Sequence, residues 1–248
     1  VATKPKTPQP QTPTEVQGRD RFETPAYATK LLLPFIPYKV DSIWECAAGS
    51  GRIARVLEEA GYVVLQTDLL MGAEYDFLTM GLPAGMDALI TNPPYSLKEK
   101  FFLRALDLKI PFAFLIPADY SGWVIRALKD HGAQKVIPTR RIDYYTPDTV
   151  ELVWRGMTLD IHNRQRRAKG MKPLKKSQIT DDFWKWMSGE PWAPARFPDV
   201  DSIPLKLVAK YSAAQFHSMW LTWGFDLGSS EVFVELTSEM KKGEDAQE

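Results

Sequence analysis

Between residues 20 and 145 the chain alternates short apolar runs with longer segments in which apolar and charged positions interleave. The runs are "SIWECA" (42–47), "YVVLQTD" (62–68), "MDALITN" (86–92), "PFAFLIP" (111–117) and "KVIPTRRIDYY" (135–145). Apolar runs of this length bounded by turn residues predict buried strands. The segments between them predict helices: "AYATKLLLPFI" (26–36), stopping near Pro34, "GRIARVLEEAG" (51–61), ending at Gly61, "KEKFFLRALDL" (98–108) and "WVIRALKDHG" (123–132). Strands separated by helix-length segments imply right-handed crossovers and an α/β fold, a parallel sheet with helices on both faces. Two more apolar runs, "FHSMWLTWGF" (216–225) and "EVFVEL" (231–236), flank "DLGSS" and predict a closing hairpin.

Composition sets the domain picture. Residues 1–18 open with "VATKPKTPQPQTPTEV", four prolines among threonines and lysines, which predicts a disordered or polyproline-II lead-in. Residues 19–236 then form one domain, interrupted at 147–210 by a basic, proline- and tryptophan-containing insertion, and 237–248 read as a solvated tail. The formal net charge is zero, so no global field draws the protein toward nucleic acid and any such attraction is local. The single cysteine, Cys46, excludes an internal disulfide framework and a cysteine-based zinc site. His131, His162 and His217 are scattered, and none reads as a metal ligand or a base. With no apolar run near the roughly 18 residues of a membrane span and no signal-peptide pattern, the expectation is a cytoplasmic protein without a membrane partner.

Two stretches carry chemistry. In "WECAAGSGRIA" (44–54) a strand ends on Glu45, turns through Gly49-Ser50-Gly51 and enters a helix. Glycines there let backbone N–H groups approach a ligand, and a helix N-terminus adds partial positive charge. Asp68 closes the next strand, about 20 residues on, where a carboxylate meets ribose hydroxyls; capping the following turn is its structural alternative. Glu45 ahead of the turn suits a cationic ligand rather than a pyrophosphate. The second stretch is "TNPPYS" (91–96), in which Pro93 and Pro94 end a strand and hold Asn92 and Tyr95 at its C-terminal end. That edge of an open α/β sheet is where ligands bind.

"ECAAGSG", Asp68, "DFL" (76–78) and "TNPPYS", in that order, resemble the class I S-adenosylmethionine-dependent methyltransferases. The nearest branch is that of the N6-adenine DNA methyltransferases, the Dam-type enzymes often carried by phages. The resemblance covers roughly residues 20–145 and resumes at 211–236. It implies a Rossmann-like, mostly parallel seven-stranded sheet whose final hairpin supplies an antiparallel strand. It also implies S-adenosyl-L-methionine as cofactor. "FETP" (22–25) is similar to the family's N-terminal segment, so Phe22, Thr24 and Pro25 would touch the methionine end. Glu45, Ala47, Gly49 and Gly51 would lie along the methionine and ribose, Asp68 would hold the ribose hydroxyls, and Asp76 and Phe77 would face the adenine. In such a site the Asn92 side-chain oxygen and the Pro93 carbonyl accept both N–H bonds of an exocyclic amine, and Pro94 keeps that carbonyl out of a helix. Tyr95, followed by Ser96, would stack on the base, which a duplex must flip out. Asn at the first motif position favours adenine over cytosine, by the same likeness.

The insertion adds a partner. "HNRQRRAKGMKPLKK" (162–176) holds seven lysines and arginines and no acid, and "DDFWKWMSGEPW" (181–192) brings Trp184, Trp186 and Trp192 together. Basic charge beside aromatics is a nucleic-acid pattern, which makes Arg164, Arg166, Arg167, Lys169, Trp184 and Trp186 candidate DNA contacts. A solvated surface and a small aromatic core are the structural alternatives. Duplex DNA is the expected substrate. RNA adenine and a protein glutamine present a similar NH2 and stay open, as does a binding module that keeps the fold without turnover. Oligomeric state is not legible.

Overall fold

The computed structural model describes residues 22–242, apart from 196, 198, 201, 213 and 215. The predicted lead-in and the last residues of the predicted tail lie outside the described residues. Seven strands form one sheet: β1 (Ser42–Glu45), β2 (Val63–Gln66), β3 (Ala88–Thr91), β4 (Phe112–Pro117), β5 (Gln134–Pro138), β6 (Ser218–Trp223) and β7 (Glu231–Val234). Their spatial order is β2-β1-β3-β4-β6-β5-β7, with β6 antiparallel to β4 and β5 and the other pairs parallel. The expected antiparallel strand is therefore β6. The closing strands run in opposite directions but do not pair with each other, because β5 lies between them and takes β7 in parallel register.

Helices cover both faces: α1 (Ala26–Lys30), α2 (Arg52–Glu59), α3 (Lys98–Leu108) and α4 (Gly122–His131). Strand residues alternate between two apolar layers. Ile43, Ile90, Leu115 and Trp220 join Tyr27, Leu32 and Leu57 on one face; Trp44, Leu89, Phe112 and Phe114 join Phe77, Phe101 and Phe102 on the other. Burial on both sides explains why the strands read as continuous apolar runs. The two buried indoles are satisfied, Trp44 Nε1 donating to Thr67 Oγ1 (2.8 Å) and Trp220 Nε1 to the Ala28 carbonyl (3.0 Å).

Three differences from the sequence reading concern element ends. The first helix is only five residues, followed by a 3-10 turn over Leu33–Phe35 that carries Pro34 at its start. The run 135–145 forms a strand only to Pro138, then bends at Thr139 and Arg140 and continues irregularly to the bridge between Tyr145 and Glu23. The start of the predicted tail is docked rather than free: α8 (Ser238–Lys242) sends Lys241 Nζ to Asp143 Oδ2 and the Arg141 carbonyl, both at 2.6 Å.

The insertion is helical. α5 (Thr149–Ala168) packs against α7 (Leu205–Tyr211), and α6 (Asp181–Met187) sits beside its far end. The basic run, one reading of which was a mobile surface, continues α5 and then turns back, clasped where Leu174 N donates to Asn163 Oδ1 (2.8 Å) and Asn163 Nδ2 to the Leu174 carbonyl (3.2 Å). Gly156 gives α5 the smooth spot on which Tyr211 lies; a Cβ there would overlap the tyrosine ring. Gly156→Val should therefore lower stability by about 1–3 kcal/mol, the usual result of overpacking. Thermal and urea melts check this, and a change below ~0.5 kcal/mol, the scale of an ordinary surface substitution, would show that the α5–α7 contact yields.

Candidate functional site

The sheet reverses its winding between β1 and β3, and the loops leaving their C-terminal ends diverge. Crevices form at such switch points. A cavity of about 320 Å³ opens there, walled by the β1 exit (Glu45 to Gly49), the β2 exit (Asp68 to Leu70), Asp76 and Phe77, the β3 exit (Asn92, Pro94, Leu97) and the crossing segment Phe22–Thr24.

The β1 exit turns tightly, and two of its glycines adopt the left-handed region, Gly49 at φ +53° and Gly51 at φ +74°. At Gly51 the positive φ is what requires glycine; a Cβ there would also meet Gln66 Oε1 at 2.6 Å, a side-chain end that would have to move aside. The turn is held by Asp68. Gly49 N donates to Asp68 Oδ2 (2.8 Å) and Leu70 N to Asp68 Oδ1 (2.9 Å), so this carboxylate caps the 3-10 turn after β2, ties it to the glycine turn and still lines the cavity. Each oxygen keeps a further lone pair for a ligand.

Glu45 is buried, and Ala54 N, in the first turn of α2, donates to its Oε2 at 2.9 Å. Burial raises its pKa well above the ordinary carboxylate range; the Ala54 hydrogen bond opposes this, and the nearby charges of Glu23, Asp68 and Glu58 add to the rise. Asp76 turns back to accept from Leu78 N (3.0 Å). Phe77 is a core residue whose ring meets Trp44 and Phe101 at centroid distances of 5.4 and 4.6 Å while also lining the cavity. Glu23, Glu45, Asp68 and Asp76 thus place four carboxylates around one cavity. Among the described lining residues the only cation is Arg52, whose guanidinium lies 4.5 Å from the centre of the Tyr145 ring.

Asn92 faces this acidic space from the end of β3. Its Nδ2 donates to the Phe22 carbonyl (2.8 Å) and to Thr24 Oγ1 (3.2 Å). A carbonyl can only accept, so Phe22 fixes which way the amide points. That leaves Asn92 Oδ1 buried and without a hydrogen-bond partner. A buried acceptor left unmade is costly, and the residue that carries it lines the cavity.

Nine of the eleven residues expected around the cofactor line the cavity: Phe22, Thr24, Glu45, Ala47, Gly49, Asp68, Asp76, Phe77 and Asn92. Pro25 and Gly51 are buried just behind it and shape it, one preceding α1 and the other α2. Of the motif residues, Pro94 reaches the lining, whereas Pro93 is buried beneath and Ser96 is exposed outside. Tyr95 stands in an aromatic group. Its ring stacks on Phe22 (5.0 Å, 22° between planes) and meets Phe216 edge-on at 5.5 Å. Tyr144 donates to Ser218 Oγ (2.8 Å), and complete burial pushes its hydroxyl up to about 12, against the opposing influence of the Ser218 and Tyr95 hydroxyls. One face of Tyr95 is therefore already covered, by a side chain expected at the cofactor's methionine end. Glu23 and Arg52 were missed by the sequence reading. Glu23 had a visible signal, an acid between the selected Phe22 and Thr24 of "FETP"; Ser50 Oγ donates to its Oε2.

Arg164, Arg166, Arg167, Lys169, Trp184 and Trp186 lie in the insertion, apart from the cavity lining. The aromatic-core alternative describes Trp184, which packs on Trp154 and Phe183 with Arg155 over its ring. Trp186 is 52% exposed and touches His162 edge-on. Among the described residues no cluster of histidine, cysteine, aspartate and glutamate could hold a metal ion, and no helix is long and apolar enough to cross a membrane.

No protein-family model matches this chain, and no curated protein does either. The site stands on its geometry.

The raised pKa of Glu45 sets a pH dependence. A carboxylic acid whose folded pKa exceeds its unfolded value favours the native state fully below the unfolded pKa, about 4.3, and this contribution is lost as pH rises through the folded value. Glu45→Gln, which keeps an acceptor for Ala54 N, should therefore gain stability relative to the parent as pH rises. Urea melts at about pH 5 and about pH 8 test this; parallel profiles for the two proteins would overturn it.

Proposed function

We propose that this protein is an S-adenosylmethionine-dependent methyltransferase that acts on the exocyclic N6 amine of adenine in DNA. The observation that carries the reading is Asn92 Oδ1, a buried acceptor with its amide orientation fixed and no partner, carried by a residue that lines a cavity rich in carboxylates. That oxygen takes one N–H of the amine, and the Pro93 carbonyl takes the other. Together they draw the nitrogen lone pair out of the ring, so no strong base is required.

The cavity fits the cofactor by charge and by polarity. The carboxylates of Glu23, Glu45, Asp68 and Asp76 would favour the sulfonium cation of S-adenosylmethionine. Its methyl–sulfur bond would break as the nitrogen–methyl bond forms, leaving the neutral thioether S-adenosylhomocysteine and releasing one amine proton to solvent. Asp68 accepts from ribose hydroxyls with the lone pairs its two backbone contacts leave. Phe77 and Leu69 provide apolar wall, and Phe22 and Thr24 close the cavity beside Asn92. Tyr95 stacks on the flipped base, either on the face away from Phe22 or after that ring moves aside. The class of substrate rests on the insertion: basic charge gathered in a neutral protein suits nucleic acid.

Incubation with a radiolabelled methyl donor and separate DNA, RNA and protein pools, followed by nucleoside analysis, tests the proposal. Label in N6-methyladenine from DNA is expected. Label in RNA or in glutamine would move the substrate and keep the chemistry, and no transfer to any pool would overturn both. Asn92→Ala should abolish transfer while donor affinity, read by calorimetry, stays within about twofold, since less than ~0.5 kcal/mol is at stake for a residue that acts on the acceptor. Asp68→Ala should weaken donor binding by roughly 1–3 kcal/mol. Donor affinity should rise with pH as Glu45 ionises through its raised pKa, because the cation prefers the charged form, and Glu45→Gln should flatten that rise.

A further inference from the structure

The basic end of α5 is not used by the cavity, and its placement is specific. The near end of the helix abuts the site twice. Tyr145, four residues before Thr149, pairs its backbone with Glu23 of the cavity wall, at 2.8 and 3.2 Å. Thr149 Oγ1 lies 3.2 Å from the hydroxyl of Ser212, on the segment that continues to Phe216 against Tyr95. From there α5 runs 20 residues without a break. At about 1.5 Å per residue, Arg164 and Arg167 stand roughly 22–27 Å along the axis from Thr149.

The far end is built to hold its position. Gly156 seats Tyr211, and Asp160 Oδ2 accepts from Lys210 Nζ (2.6 Å) and the Tyr211 hydroxyl (2.9 Å), fastening mid-helix to α7. His162 packs among Phe183, Trp186 and Trp192, and the Asn163 clasp returns the chain so that Lys172, Lys175 and Lys176 join the helix end. Arg164, Arg167, Lys169, Lys172, Lys175 and Lys176 are exposed, and Arg166 Nε donates to the Lys172 carbonyl. The nearest acid on the helix, Asp160, is already engaged by Lys210. Asp181 and Asp182 lie on α6, where Lys185 is 3.8 Å from Asp182. The result is a fixed group of cations held a helix length from the reacting amine.

We propose that α5 is a rigid arm that grips the phosphate backbone of the substrate duplex on one side of the target. At 3.4 Å per base pair, 22–27 Å of helix spans about seven to eight base pairs, counted from the Thr149 end that abuts the site. This rests on the reading of the cavity as a DNA adenine site and deepens it. The substrate is a duplex with an obligatory flank, and the flank matters on one side only, because one arm leaves the site. The arm touches phosphate and reads no sequence.

The test uses the full chain and duplexes bearing the site mapped from methylated DNA, trimmed one base pair at a time from either end. The expected result is that KM rises about tenfold when one flank falls below about seven base pairs, with kcat little changed, while trimming the other flank has no such effect. In an Arg164→Ala, Arg167→Ala, Lys169→Ala variant the long duplex should bind more weakly. Its slope of log affinity against log salt should become shallower by about 0.9 for each phosphate that the variant no longer neutralises, and the flank requirement should vanish. Circular dichroism and an unchanged donor affinity control for folding. A parent indifferent to both flanks, or a triple variant that keeps the parent's flank dependence, overturns the arm while leaving the adenine site standing. If no long duplex is methylated, the reading of the cavity falls instead. Fluorescence anisotropy of the parent and variant on the same duplexes then decides whether the arm binds at all; equal affinities and salt slopes would sink it.

Discussion

Right-handed crossovers force the loops on either side of a switch point apart, and the rest of this protein's site depends on that divergence. β1 sends its chain toward β2, β3 sends its chain toward β4, and the gap between their C-terminal ends cannot be filled by either loop. Glu45 and Asn92 are neighbours in space because they end adjacent strands. The segment Phe22–Thr24 then crosses the gap, anchored at Glu23 by the Tyr145 bridge and at Phe22 and Thr24 by the Asn92 amide. A cavity with polar groups aimed inward follows from topology before any particular ligand is considered.

The charge distribution is the second consequence. The chain is neutral overall, yet the cavity gathers four carboxylates and the stretch 162–176 of the insertion gathers seven cations. Burying Glu45 beside Glu23 and Asp68 opposes its ionisation, which is the reverse of what a stability optimum would select. Under the proposed function, a cationic ligand would offset that opposition. Asp68 shows how economical the site is, since one carboxylate holds the glycine turn, caps the next turn and faces the ligand space. Its structural reading, the cap of the following turn, is met, and the carboxylate still lines the cavity.

The sequence by itself determined most of the central fold. Apolar runs bounded by turn residues located β1 to β4 and the closing strands, and the glycine turn, Asp68 and Asn92 were legible because their chemistry needs those residue types at strand ends. It did not reveal α5: the Pro-, Lys- and Trp-rich composition of 147–210 obscured a stripe of Val153, Trp154 and Thr158 that is buried only because α7 and its neighbours return to cover it. Tertiary structure alone decided that β5 separates β6 from β7, that Trp184 joins an aromatic cluster, and that Phe22 covers Tyr95. It also decided which oxygen of Asn92 is left unpartnered, through a carbonyl 70 positions away in the chain. The physical reason is range. Propensity and periodicity act between near neighbours in sequence, whereas strand order and the satisfaction of a buried amide are settled by groups that meet only after the chain has closed on itself.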